Sequence, residues 1–161
     1  MKMIRAIVYE SNTGFTKKYA ELLSAQTGLP CYSLSENKVN GGDSIIYLGW
    51  LCAGKIKGYA KASKNFNIRA VAGVGLRGQD AEALSQLIEQ NNTGATPAFY
   101  LQGGVDIQRL RGLNKIILKA AVKAMAGKDG NPESKDTLYS YKDYVSPDNL
   151  RGLLSWYKSA V

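Results

Sequence analysis

The chain has 161 residues, 45% hydrophobic and 21% charged, which is enough for one compact core without help from disulfides or metals. It contains no histidine, and this excludes Ser/His/Asp hydrolases, Cys/His proteases and histidine-based metal sites. A formal charge of +8 favours anionic partners: a phosphorylated cofactor, a carboxylated substrate, nucleic acid or an anionic membrane face.

In chain order, residues 3–9 (MIRAIVY) form a β-rich, mostly apolar run, and residues 16–25 place Tyr19, Ala20, Leu22 and Leu23 at helical spacing. The pattern predicts strand, loop, helix. Residues 29–34 are a short strand candidate, and 43–48 (DSIIYL) a buried strand ending at Gly49. A short helix follows at 59–65, then a strand at 68–74 and a helix at 79–90, with Asp80 and Glu82 in its first turn, where acids suit the helix dipole. Residues 97–102 (PAFYLQ) give a fifth strand, 107–126 a long helix and 147–160 a final one.

Strands that alternate with helices and are apolar on both faces predict an α/β domain, a doubly wound parallel sheet covered on each side in three layers. No Pro/Gly/Ser-rich linker divides the chain, so a single domain over residues 1–161 is expected. Such sheets bind ligands at the carboxyl ends of their strands. The segments after Tyr9, Leu48, Val74 and Gln102 are therefore the candidate site.

Ser11, Asn12, Thr13, Gly14, Phe15 and Thr16 lie between the first strand and the first helix. Unpaired N–H groups at a helix start bind phosphate, three hydroxyls add donors, and Gly14 lets backbone approach oxygen closely. The alternative is a plain helix cap supplied by Ser11 or Thr13. Three hydroxyls around a glycine favour the phosphate.

Two other readings of the same pattern are weaker. Residues 73–78 (GVGLRG) match G-x-G-x-x-G, but a dinucleotide site wants an acid about 20 residues on, at the end of the next strand. That strand has none until Asp106, and the motif follows the fourth strand rather than the first. A receiver domain needs clustered carboxylates after the first strand and an Asp after the third; here Glu10 stands alone and Gly49-Trp50 follows the third.

The S-x-T-G-x-T loop at 11–16, with five strand-helix units around it, resembles the FMN-phosphate loop of the flavodoxins. That resemblance implies a five-stranded parallel sheet in the order 2-1-3-4-5 and bound FMN, with Ser11, Thr13, Gly14 and Thr16 on the phosphate. Gly49, Trp50, Leu51, Cys52, Ala53 and Gly54 would line one face of the flavin ring, and Gly75, Leu76, Arg77 and Gly78 the other. Trp50 is the aromatic expected to stack on it, and Arg77, where the family often has a tyrosine, would favour the anionic reduced flavin. Cys52 is a minor candidate beside the flavin, set against an ordinary role as a small buried residue.

Residues 102–130 carry Arg111, Lys115, Lys119 and Lys123 as a basic stripe opposite Leu113, Ile116, Ile117, Ala120 and Ala124. This is the solvated side of a core helix or a contact for an anionic membrane. The segment is similar to the corresponding region of the protoporphyrinogen IX dehydrogenase branch, which implies a quinone acceptor at the membrane. The partners expected are thus a redox protein or a small-molecule or quinone acceptor. A flavodoxin-fold module that has lost FMN and binds a partner through its basic face is the alternative of another class. No aromatic-interleaved basic motif points to nucleic acid. Cys31 and Cys52 lack metal-ligand or redox-pair spacing, and with a first apolar run too short for a signal peptide the expected location is cytoplasmic.

Overall fold

A computed structural model describes residues 2–109, 116 and 141–161. The apolar run at the start becomes β1 (Ile4–Glu10), followed by α1 (Phe15–Thr27) and the short β2 (Cys31–Ser33). Next come β3 (Ser44–Cys52), a two-residue β4 (Lys55–Ile56), α2 (Tyr59–Asn65), β5 (Asn67–Gly75), α3 (Ala81–Asn91) and β6 (Ala98–Gln102). The chain finishes with β7 (Gly104–Val105), β8 (Lys142–Asp143) and α4 (Arg151–Ala160).

The main sheet runs β2-β1-β3-β5-β6, and every neighbouring pair on that path is parallel. Strand β4 folds back antiparallel onto β3, and β7 pairs antiparallel with β8 in a separate two-stranded ladder. Ile45, Ile46, Tyr47 and Leu48 are fully buried, as expected of a parallel strand covered on both faces. Alternation sends Ile46 and Leu48 into a core with Tyr19 and Leu23 of α1 and Leu153 of α4. Ile45 and Tyr47 enter the opposite core with Ala62 of α2 and Leu87 of α3. The helices thus cover the sheet in two layers.

Local chemistry sets the helix ends. The left-handed Gly28 stops α1, its N–H donating to the carbonyl of Ser24 at 2.8 Å. Asp80 caps α3 by accepting from the N–H of Ala83 at 2.7 Å, with Glu82 in the first turn. At the C-terminus, the turn Pro147–Leu150 precedes α4, and the buried Leu150 and Leu153 dock it against α1 at about 1.5–3 kcal/mol each.

Several boundaries differ from those expected. The strand expected at 43–48 continues to Cys52, and the helix expected at 79–90 starts at Ala81 because Asp80 is extended as its cap. The final helix splits into a 3-10 turn and α4. Of the expected helix at 107–126, Ile107–Arg109 form a 3-10 turn. The remainder, with the basic stripe, lies outside the described residues apart from residue 116. Among the described residues no helix is long and apolar enough to cross a membrane.

Candidate functional site

The carboxyl ends of β1, β3, β5 and β6 open onto one cavity of about 400 Å³. Its first wall is the loop into α1, through Ser11, Asn12, Thr13, Phe15 and Thr16. Gly14 holds a φ of 102° at the N-cap position of α1, a conformation that favours glycine, and no side chain caps the helix. Among the described residues the hydroxyl of Ser11 accepts just the N–H of Gly14, at 3.1 Å. The first turn contains no acid and two lysines, Lys17 and Lys18, the reverse of what the dipole prefers. The simple cap by Ser11 or Thr13 is therefore not what is built.

The same loop holds Asn12, whose side-chain Nδ2 is buried without a hydrogen-bond partner among the described residues. A buried donor left in that condition costs about 1–3 kcal/mol. An oxygen-rich ligand beside the loop would satisfy it.

The second wall is the end of β3 and its turn: Trp50, Leu51, Cys52, Ala53 and Gly54. It is a β-hairpin rather than an open loop. Cys52 pairs with Lys55, and the two residues between them, Ala53 and Gly54, have φ of 50° and 79°. A two-residue turn needs positive φ at both positions to match the twist of the strands, and Ala53 adopts it at a cost of about 1–2 kcal/mol. The side chain of Asn91 holds the turn in place, donating to the carbonyl of Gly54 at 2.8 Å and accepting from the N–H of Ile56 at 2.7 Å. Trp50 is half-buried, with the ammonium of Lys57 5.7 Å from its ring centroid.

The third wall comes from β5 and its loop, through Gly75, Leu76 and Arg77. A Cβ on Gly75 would lie 2.5 Å from the hydroxyl of Tyr100, so the close approach of β6 explains the glycine. Arg77 does not stand alone: its guanidinium meets Glu82 at 2.9 Å, Gln86 at 3.2 Å and Asp80 at 3.8 Å. Its charge is shared with the start of α3, which tempers the field expected of it.

Thirteen of the sixteen predicted residues line the cavity; Gly14, Gly49 and Gly78 do not. Gly14 faces an adjoining cavity. Gly49 lies within β3 beneath the hairpin, where a Cβ would approach the carbonyl of Lys57 to 2.5 Å, so it shapes the wall without reaching the space. A Cβ on Gly78 would meet nothing within 4 Å, and this glycine stands beyond the rim. Phe15 lines the cavity but is buried against the β7–β8 ladder, with its ring 6.3 Å from that of Tyr141.

The structure adds residues that sequence reasoning missed: Gln86, Leu87 and Gln90 from α3, Tyr100 from β6, and Val105 and Asp106 beyond β6. Tyr100 is 9% exposed, and burial pushes its hydroxyl pKa up, so it remains a neutral donor at ordinary pH. Its place near the end of a predicted strand was a usable signal. The glutamines had none.

Comparison of the chain with known protein families, with curated proteins and with solved structures finds no match.

Proposed function

We propose that this chain is a flavodoxin-like protein that binds FMN noncovalently and carries electrons or hydride through it. The observation that carries the reading is the uncapped start of α1. A 13-residue helix with a glycine N-cap, no acid in its first turn and an unpartnered Asn12 amide presents donors to the same cavity that the β3 and β5 loops enclose. The order β2-β1-β3-β5-β6 supports it too: with the two-residue β4 left out of the count, the parallel strands follow 2-1-3-4-5, as in the flavodoxin layout. The cavity of about 400 Å³ falls within the span of about 300–1,000 Å³ usual for cofactor sites.

In this reading the hydroxyls of Ser11, Thr13 and Thr16, the Asn12 amide and the first-turn N–H groups hold the phosphate. Trp50 on the hairpin and Leu76 on the β5 loop enclose the ring and exclude water. Tyr100 and the glutamines of α3 are the polar groups beside it. Bound flavin supplies the one- and two-electron chemistry; the protein supplies orientation and electrostatics, so no histidine is required.

The narrower likeness to protoporphyrinogen IX dehydrogenases with a quinone acceptor rests on residues 102–130, most of which lie outside the described residues. No described feature favours it over electron transfer to another partner. Titration of the purified protein with FMN tests the proposal, together with Asn12→Ala, Thr13→Ala and Thr16→Ala. Saturable binding weakened roughly tenfold or more in at least one variant is expected from loss of a charge-assisted hydrogen bond. A colourless protein that takes up no FMN would instead support the binding-module alternative.

A further inference from the structure

The segment that follows β6 carries a cation to the start of α1 from far along the chain. Strand β7 packs on Phe15, the first residue of that helix: a Cβ on Gly104 would lie 2.7 Å from the Phe15 ring. The chain then makes a single 3-10 turn, the N–H of Arg109 donating to the carbonyl of Asp106 at 3.2 Å. This turn sets Arg109 over the loop at 11–14, with its Nη1 3.5 Å from where a Cβ on Gly14 would stand.

Asp106 lines the candidate cavity, and its side chain is largely covered. Its carboxylate meets the Nε of Arg109 at 3.3 Å, while the Nη groups donate no hydrogen bond among the described residues. A guanidinium at the positive end of α1 is a like-charge contact, which Asp106 offsets from one side alone. In the same loop the Asn12 Nδ2 is buried without a partner among the described residues. An anionic oxygen at the loop would answer both groups.

We infer that Arg109 is a phosphate ligand: its Nη groups take oxygens of the FMN phosphate from the side of Gly14, while Asp106 keeps hold of Nε. Arg109 thereby makes the site select the phosphorylated flavin over riboflavin. A lone carboxylate lining this cavity would repel the phosphate, and pairing with Arg109 offsets that charge. The inference rests on the flavin reading above and adds the residue that discriminates between flavins.

Equilibrium titration with FMN and with riboflavin tests it, on the wild type, Arg109→Ala, Asp106→Asn and Lys158→Ala. Lys158, exposed in the last turn of α4 and lining neither the candidate cavity nor the adjoining one, controls for net charge. The Arg109 side chain is 70% exposed, so solvent screening keeps the effect moderate. Arg109→Ala should weaken FMN by about fivefold and leave riboflavin unchanged. Asp106→Asn should tighten FMN by about two- to fivefold, again without moving riboflavin, and Lys158→Ala should move neither.

Wild-type protein that binds riboflavin as tightly as FMN overturns the inference and leaves the flavin reading standing. So does an FMN-to-riboflavin ratio unchanged in Arg109→Ala, an equal loss of FMN affinity in Lys158→Ala, or weaker FMN binding in Asp106→Asn. Absence of binding by both flavins in the wild type overturns both readings together.

Discussion

The amide of Asn91, at the end of α3, donates to the carbonyl of Gly54 in the turn that closes one wall of the cavity, at 2.8 Å. Its oxygen accepts from the N–H of Ile56 at 2.7 Å, so one side chain satisfies a backbone group in the turn and another on β4. A turn with a left-handed alanine needs such an external hold. Asn91→Ala is expected to cost about 1–3 kcal/mol in urea unfolding, because it leaves both partners unpaired. Native-state hydrogen exchange at the Ile56 amide should accelerate by more than that at Leu48; equal acceleration at both would show that Asn91 supports the whole domain rather than the hairpin.

Gly49 and Gly78, both expected at the site from sequence, should respond oppositely to a methyl group. At Gly49 a Cβ meets the carbonyl of Lys57 at 2.5 Å and the Ile56 side chain at 2.6 Å, and backbone cannot yield cheaply. Gly49→Ala is expected to destabilise by about 1–3 kcal/mol through overpacking. Gly78→Ala meets nothing within 4 Å and should stay within about 0.5 kcal/mol of the parent. Denaturant midpoints for the two variants provide the comparison, and similar values would contradict the burial of Gly49 beneath the hairpin.

Lys18 and Asp143 form an ion pair at 2.5 Å between α1 and β8. Burial pushes the Asp143 carboxyl up, but hydrogen bonds from Lys18 and the Val145 N–H outweigh it and leave its pKa below the ordinary value. The hydrogen bond to Asp143 raises the pKa of Lys18. A depressed carboxylate stabilises above its unfolded pKa and loses that contribution as pH falls through the folded one; a raised lysine contributes fully below its unfolded pKa and loses that contribution as pH rises through the folded one. The pair therefore acts between roughly pH 4 and pH 10. Because both side chains are partly solvated, Asp143→Asn should cost only about 0.2–1 kcal/mol at pH 7. That difference should shrink toward zero as the pH falls through the depressed folded-state pKa of Asp143; a constant difference across the range would exclude the ion pair as its source.

Arg77 bears on the proposed flavin chemistry. A cation at the cavity rim favours the anionic reduced flavin, and Glu82 and Asp80 partly offset it. Redox titration of FMN-loaded protein should show a modest fall in potential for Arg77→Ala and a rise for Glu82→Gln, which removes the nearer of the two carboxylates that offset the guanidinium. Unchanged potentials in both variants would remove Arg77 from the electrostatics of the site.

Much of this arrangement was visible in the residue pattern. The runs IRAIVY, SIIYL and IRAVAGV are apolar at nearly every step, which only a doubly covered strand tolerates, and α2 begins and ends where its spacing placed it. The loop glycines and hydroxyls likewise marked three walls of the cavity. The β3–β4 hairpin was hidden because Ala53-Gly54 lacks the Asn-Gly or Asp-Gly chemistry that signals such turns, and its support comes from Asn91, far along the chain. The β7–β8 ladder was hidden because each strand has two residues and its partner is remote. Gln86 and Gln90 were missed because helical periodicity separates core from solvent but does not reveal which exposed positions overlook a cavity.

The β7–β8 ladder also defines a stem. Gly104 pairs with Asp143 and Val105 with Lys142, so the chain departs for residues 106–141 and returns at adjacent points beside the cavity mouth. The ladder therefore ties two stretches far apart in the chain to the rim of the cavity, so that any change which parts Gly104 from Asp143 is felt at the site itself.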